Sequence, residues 1–368
     1  MTSTSSILHV FNPGHDLALA AGTSRYTPPA AAVALHRDLG FLPALWAGAT
    51  DFVWVSDVQA GAEAMARLGV PLRCRLVDRR DLQALLRREP TAVHGVAPWG
   101  WDAALRSEMQ RLGVPMAILP DDAALEAIRH FSHRAWAARE LLLPLRDEKG
   151  TLGEAVEHTA ADCAMQSIRQ LGSAVVKAPW SSSGRGVFRA VAHDMAADAA
   201  LRMTVVNRLA GIIRRQGSVM IEPYYNKVLD FAMEFERDAA GTVHGLGLSV
   251  FDVRHGAYIG NRLDSEIGKT KLLARYIDEA LLQRVQRHIT VLTARAFAGT
   301  WVGPFGVDMM IVQTPDGYRL HPCVELNLRR TMGHTALSLG HLLPQSALPA
   351  VMRILCDGCY HLEITSAQ

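Results

Sequence analysis

The chain has almost no net charge: 38 lysines and arginines stand against 36 acidic residues, leaving +2 over 368 residues. Proteins that hold nucleic acid or an anionic membrane surface carry a basic footprint, and none stands out here. No apolar run reaches the ~20 residues needed to span a bilayer. Nucleic acid and membrane are therefore excluded as expected partners. The opening MTSTSSILHVF lacks a basic region and a long apolar stretch, so it does not read as a signal peptide and a cytoplasmic protein is expected. Cysteine is scarce and odd in number: Cys74, Cys163, Cys323, Cys356 and Cys359 form no disulfide framework. Cys356 and Cys359 stand two residues apart near His361, but a structural zinc site needs a second such pair and none is present. Reduced thiols on a C-terminal helix, Leu343 to Cys356, are the expectation. No G-x-G-x-x-G follows the first strand, no phosphate loop of the form G-x-x-x-x-G-K-[ST] occurs, and no repeat or low-complexity segment is visible.

What is present is apolar material in quantity. Hydrophobic residues make up 49% and charged residues 20%, which suits a soluble globular protein. The length is too great for one ordinary core and suits two or three subdomains. The first ~120 residues alternate apolar runs (ILHVF, ALWA, FVWVS, RCRLV, AVHGVAPW, MAILP) with amphipathic helical stretches, the pattern of a parallel α/β layer with five or six strands. Ligands bind beyond the carboxyl ends of such strands, so Asn12, His15, Asp16 and the segment His94 to Trp99 are candidate substrate-side groups. The competing reading is that Asn12-Pro13-Gly14 is turn punctuation and Asp16 a helix cap. A helix capped by Ser132 and ending before Pro144, a helix over about 153–171, and a long helix over about 193–216 are expected next. Beyond them come the strands SVMIEPYY, FAMEFER and HGLGLSVFDVR, a polar loop, and a helix from about Asp278 to Phe297.

The most informative stretch is Gly303 to Gly333, GPFGVDMMIVQTPDGYRLHPCVELNLRRTMG. Two apolar runs flank Asp316-Gly317, a dipeptide suited to a two-residue type I′ turn. With that turn, Pro315 faces Tyr318 and Asp308 lies opposite Glu325. Asn327 shares the face of Glu325 because side chains alternate along a strand. One face then carries two carboxylates and an amide oxygen, followed by Arg329 and Arg330. Hard oxygen donors beside cations suit Mg²⁺ shared with a polyphosphate. A surface hairpin with solvated acids fits the same residues, and Pro322 demands an edge or non-bonded position. A second stretch, AVVKAPWSSSGRGVFRA, places Lys177 on a strand before a Ser/Gly-rich hairpin ending in another strand. Small residues there let backbone N–H groups approach phosphate oxygens, with Lys177 and Arg185 supplying charge. A hairpin tip with a snorkelling lysine fits equally.

A lysine strand, a glycine-rich hairpin, a helix, the strand MIEPYY and an acid–acid–x–Asn hairpin come in that order, which resembles the ATP-grasp superfamily over roughly residues 125–340. The resemblance implies an α/β and α+β chain: a parallel-sheet N-terminal domain (1–122), a central lobe with the glycine-rich loop (123–222) and a C-terminal lobe with the metal-binding hairpin (223–368). It implies that Lys177 contacts ATP phosphates and that Ser181, Ser182, Ser183, Gly184, Arg185 and Gly186 close over them. Glu222 would sit by the adenine and Asp230 would reach the ribose. Asp308, Glu325 and Asn327 match the family's ligands for one or two Mg²⁺ ions, and Arg329 its substrate or acyl-phosphate arginine. Where the family often has a further ATP-contacting lysine this chain reads Ser132-His133-Arg134, so His133 or Arg134 must substitute. Arg262, Lys269 and Lys271, in the expected polar loop Gly260–Lys271, are candidates to clamp an anionic substrate. The implied activity is ligation of a small-molecule carboxylate to an amine through an acyl phosphate, and a homodimer is compatible with it. A phosphotransferase on the same fold and a non-catalytic nucleotide-binding module are the rival readings.

Overall fold

A computed structural model of the chain describes residues 6–181, 186–254 and 257–366. Four short apolar segments form a parallel sheet: β1 (Ile7–Val10), β2 (Phe52–Trp54), β3 (Arg75–Val77) and β4 (Gly95–Pro98), ordered β3-β2-β1-β4. Aspartates start the intervening helices: Asp57, Asp78 and Asp102 each accept a hydrogen bond from the backbone N–H three residues on, satisfying a donor the helix leaves free. Two expected strands do not form. ALWA falls in and after a 3-10 turn, Leu42–Leu45, and MAILP in another, Met116–Ile118. Pro43 lies inside the first, and Pro115 and Pro120 flank the second; each removes a backbone donor and fixes φ where a strand would have to run on.

A second sheet, antiparallel, is built from β5 (Val156–His158), β6 (Ser173–Lys177), β7 (Val187–Val191) and β8 (Val219–Pro223), ordered β5-β8-β6-β7. Helices Ala161–Leu171 and Ala199–Gln216 bury Ala164, Ile168, Leu209 and Ile212 against Val176, Val219 and Ile221 of that sheet. The first helix is shorter than expected because residues 156–158 pair with β8 instead. The second is interrupted at Asp198, whose extended backbone ends Ala192–Ala197 and whose side chain caps the next helix. Ser132 does not start a helix. It closes Asp122–Phe131, and His133 caps Arg134–Ala137. That helix continues through a π segment, Ala138–Leu142, into Leu143–Leu145, so Pro144 is accommodated near the start of a segment rather than ending one.

The third sheet has seven strands: β9 (Lys227–Arg237), β10 (Val243–Arg254), β11 (Ala257–Leu263), β12 (Gly303–Thr314), β13 (Gly317–Asn327), β14 (Ala350–Cys356) and β15 (Tyr360–Ser366). Its order is β13-β12-β9-β10-β11-β14-β15. The expected C-terminal helix Leu343–Cys356 is absent: Pro344 and Pro349 bound a short 3-10 turn, and the alternating run AVMRILC pairs as β14. Cys356 and Cys359 are free and exposed at the β14–β15 turn. The expected loop Gly260–Lys271 is the end of β11 followed by helix Glu266–Leu273, capped by Ser265. Helix Glu279–Ala296, capped by Asp278, buries Leu282, Val285 and Ile289 in the same core as Phe231, Phe235 and Phe305.

The β12–β13 register differs from the expected one at the tip and agrees with it at the far end. Thr314 faces Gly317, so the two-residue loop is Pro315-Asp316. Proline holds φ negative, which a type I′ position forbids and the first central position of a type I or II turn accepts; Gly317 takes φ 119°. Pairing then runs from Gln313–Tyr318 to Met310–His321, and a bulge at Pro322-Cys323-Val324 restores Asp308 opposite Glu325 and Gly306 opposite Asn327. β13 is the sheet edge, so Pro322 sits on an edge strand within a bulge, where its missing N–H breaks no ladder bond. Among the described residues no helix is long and apolar enough to cross a membrane.

Candidate active site

The restored register puts Asp308 and Glu325 side by side, both half-buried, where β12 and β13 face the second sheet. Burial, and next the neighbouring Glu325, push the Asp308 carboxyl up to about 7, although Arg329 and a hydrogen bond with Asn327 pull the other way. A buried carboxylate beside a second carboxylate is an environment that a hard divalent cation relieves. Among the described residues no group of three His, Cys, Asp or Glu side chains is placed to hold a metal, and the third oxygen donor beside Asp308 is Asn327. The donor chemistry of Asp308, Glu325 and Asn327, all oxygen, fits Mg²⁺.

Three cations from different parts of the chain meet this face. Arg134, buried at the start of its helix, donates through Nη1 to Ala178 O (2.5 Å) and Ser181 Oγ (2.6 Å) and through Nη2 to Glu325 Oε1 (2.6 Å). It ties the end of the lysine strand to the hairpin. Lys177 on β6 places Nζ 2.6 Å from Glu222 Oε2 on β8 and 3.5 Å from Val324 O in the β13 bulge. Arg329, just past β13, forms a fork with Asp16: Nε to Oδ1 and Nη2 to Oδ2, each 2.9 Å. Burial raises the Asp16 carboxyl, but Arg329, His15 and Arg134 together more than offset this and hold it below the ordinary range. The Arg330 N–H donates to Trp99 O at 2.8 Å, a second tie between the parallel sheet's end and the hairpin's exit.

Asp16 is not a helix cap. Gly14 occupies that position, and Asp16 lies in the first turn of His15–Ala21 with its side chain on Arg329. Asn12 and His15 turn the other way: Asn12 Nδ2 donates to Gly100 O (2.8 Å) and Asp102 Oδ2 (3.2 Å), and His15 Nδ1 lies 3.4 Å from Asp102 Oδ2. Asp230 on β9 is raised by burial, offset in part by Lys227. It pairs across the ladder with Met310, two residues from Asp308. Arg262 is held by its neighbour Asp264 (Nη2–Oδ2 2.8 Å), and buried Lys269 donates to Leu248 O (2.6 Å), while Lys271 is exposed. None of these three contacts the Asp308–Glu325 face. Of the Ser/Gly-rich stretch, Ser181 bonds Arg134 and Gly186 has φ 74°, while Ser182, Ser183, Gly184 and Arg185 lie outside the described residues.

Behind the carboxylates sits a network the sequence did not flag. Glu234 on β9, pushed up to about 8 by burial, accepts from Thr331 Oγ1 at 2.8 Å and faces His334 Nδ1 at 3.0 Å. Burial likewise lowers His334 to about 3. Its Nδ1 accepts the Thr331 N–H, so Nε2 carries the proton toward Phe235 O, 3.2 Å away. Burial thus favours the neutral form of both groups. The one sequence signal was Glu234 interrupting the apolar run FAMEFER.

A parallel sheet, an antiparallel lysine-strand lobe and a large antiparallel sheet with an acidic hairpin facing that lobe make up the ATP-grasp fold. The chain has that fold. It is similar to the biotin carboxylase of Campylobacter jejuni solved as a β-γ-ATP complex (TM-score 0.52, 11% identity, 95% of this chain and 75% of that one). It is also similar to the biotin carboxylase domain of Hydrogenobacter thermophilus 2-oxoglutarate carboxylase solved with MgADP, ADP and bicarbonate (0.51, 10%, 95% and 74%). A third similar structure is the N5-carboxyaminoimidazole ribonucleotide synthetase of Thermus thermophilus (0.49, 15%, 96% and 83%). At such identities the likeness is one of fold. No protein-family model and no curated protein sequence matches the chain.

Proposed function

We propose that the chain is an ATP- and Mg²⁺-dependent ligase that activates a small-molecule carboxylate as an acyl phosphate and joins it to an amine or similar nucleophile. The observation that carries this reading is the convergence on one hairpin face of two oxygen-donor carboxylates with Arg134, Lys177 and Arg329 from three separate elements. Phosphoryl transfer needs chiefly in-line positioning and charge neutralisation rather than a protein nucleophile, and cations and metal-binding carboxylates on one face are the groups that serve those needs.

In this reading Asp308, Glu325 and Asn327 hold the one or two Mg²⁺ ions. Bound there, Mg²⁺ supplies charge neutralisation on the β- and γ-phosphates. Lys177 and Arg134 bind phosphate oxygens, with Arg134 taking the place of the family's further lysine. Ser181 to Gly186 cover the phosphates, Glu222 lies by the adenine and Asp230 by the ribose. Arg329, oriented by Asp16, neutralises the acyl phosphate while the nucleophile attacks its carbonyl carbon, phosphate leaves and the nucleophile's proton is lost. Asp16 thereby brings the N-terminal domain (1–122) to a site made by lobes 123–222 and 223–368. Asn12 and His15 act by fixing that helix, and Arg262 lines the substrate side. Both substrates are small molecules, and the enzyme works in the cytoplasm as a monomer or homodimer.

Incubating the purified protein with ATP, Mg²⁺ and pools of carboxylates and amines tests the proposal. ADP release that needs both substrates, with a new amide, supports it. A phosphorylated product without amide means a phosphotransferase, and nucleotide binding without ADP from any pool means a binding module.

A further inference from the structure

A cavity of about 580 Å³ lies between the parallel sheet's end and the β9–β10 turn. Val96, Trp101, Ile118 and Ile128 give it apolar walls, and Arg237, Thr300 and Trp301 also line it. Arg237 pairs with Gly303 at the start of β12, five residues before Asp308, so the cavity stands about 17 Å along the strand from the candidate active site.

Arg237 is only 8% exposed, and among the described residues no carboxylate pairs with it. Its Nη1 donates to Trp301 O at 2.7 Å, while its Nε is buried with no acceptor. The adjacent Asp238 offers no relief, because its carboxylate accepts from the Thr242 N–H (2.9 Å) and faces His244 Nε2 (2.8 Å). Trp301, 6% exposed, likewise has an indole N–H buried without a partner. Gly241 leaves room beside the guanidinium: a β-carbon there would lie 2.9 Å from Nη2, and its φ of 90° is one that glycine adopts without strain. A buried, unpaired guanidinium is costly, and its planar fork matches a carboxylate.

We propose that this cavity is a second binding site, which takes a small organic carboxylate with an apolar body. The carboxylate pairs with the guanidinium of Arg237 on its Nη2 side, and the body rests against Trp101, Ile118 and Ile128. An inorganic anion would leave the apolar walls unfilled, and a neutral apolar molecule would leave the guanidinium unpaired. The site is independent of the ligase reading, since its walls share no residue with the proposed catalytic set.

Calorimetric titration of the full chain with benzoate, and with benzamide as its neutral counterpart, tests this. Benzoate should bind at one site at least about tenfold tighter than benzamide, because the charge-assisted contact with the guanidinium is lost with the neutral amide. Arg237→Met should remove that preference. Ala124→Phe, on the cavity wall at a half-buried helical position, should abolish binding of both while circular dichroism shows an intact fold. If Arg237→Met does not fold, Ala124→Phe decides alone. No benzoate binding at about 10 mM, equal affinity for benzamide, or benzoate binding unchanged in Ala124→Phe (as for binding in the catalytic cleft) overturns the proposal.

Discussion

The Asp16–Arg329 fork is the contact that most directly joins the N-terminal helix to the acidic hairpin, and its removal tests how the site is assembled. Both side chains are mostly buried, at 16% and 15% exposure, and both oxygens of Asp16 are engaged. Asp16→Asn keeps the shape, removes the charge and sets an NH₂ group against one of the two guanidinium donors. Breaking a buried pair by removing one partner costs roughly 3–5 kcal/mol; some residual exposure reduces that, so a loss of about 2–3 kcal/mol is expected in urea denaturation. Asp16→Asn, Arg329→Gln and the double variant form a cycle. If the fork is the shared interaction, the double variant is less destabilised than the sum of the singles by at least about 1.5 kcal/mol. Additivity to within about 0.5 kcal/mol would refute the reasoning. The pH dependence has a fixed sign. The folded carboxyl is held below its ordinary value, so its contribution is fully present above the unfolded-state value of about 3.9 and is lost as pH falls below it. The single-variant loss should therefore be full at pH 7 and shrink below pH 4.

Glu325→Gln should nearly abolish ATP turnover while nucleotide binding, followed by fluorescence titration, persists weakly; wild-type turnover would remove Glu325 from the metal face. His321 is buried with both ring nitrogens lacking a protein partner among the described residues, and burial, with Lys177 next, lowers it to about 3. Its folded state resists protonation, so wild-type stability falls as pH drops from about 6.5 toward 3. His321→Leu should flatten that fall, and unchanged melting-temperature slopes over pH 4–6.5 would count against it. Gly333→Ala sets a helix-propensity gain of about 1 kcal/mol against a β-carbon 1.9 Å from Glu234 Oε1 and 2.6 Å from Ser249 Oγ. Overpacking costs about 1–3 kcal/mol, so the variant should melt lower than wild type, and a higher melting temperature would show that Glu234 moves aside freely.

Local signals determined much about this protein. The helix start at Asp278 was legible because a cap is a contact within one turn. Lys177 on a strand, and two carboxylates with an amide on one hairpin face, were legible because side-chain alternation is itself local. Leu343–Cys356 shows where local reading stops: the same apolar run suits a helix or a strand, and its pairing with β11 and β15 decided. The facing of Asp308 and Glu325 was anticipated through the wrong turn, because Pro315 moved the loop and the bulge at Pro322 moved the register back. Neither correction is visible without the strand partner. Tertiary structure alone brought Asp16 to Arg329, 313 positions away, and Arg134 to Glu325, 191 away. Tertiary structure alone also turned Asn12 and His15 inward to Asp102 and buried Glu234 against His334. Such contacts depend on how sheets dock, and docking is set by the summed burial of many side chains rather than by any spacing along the chain.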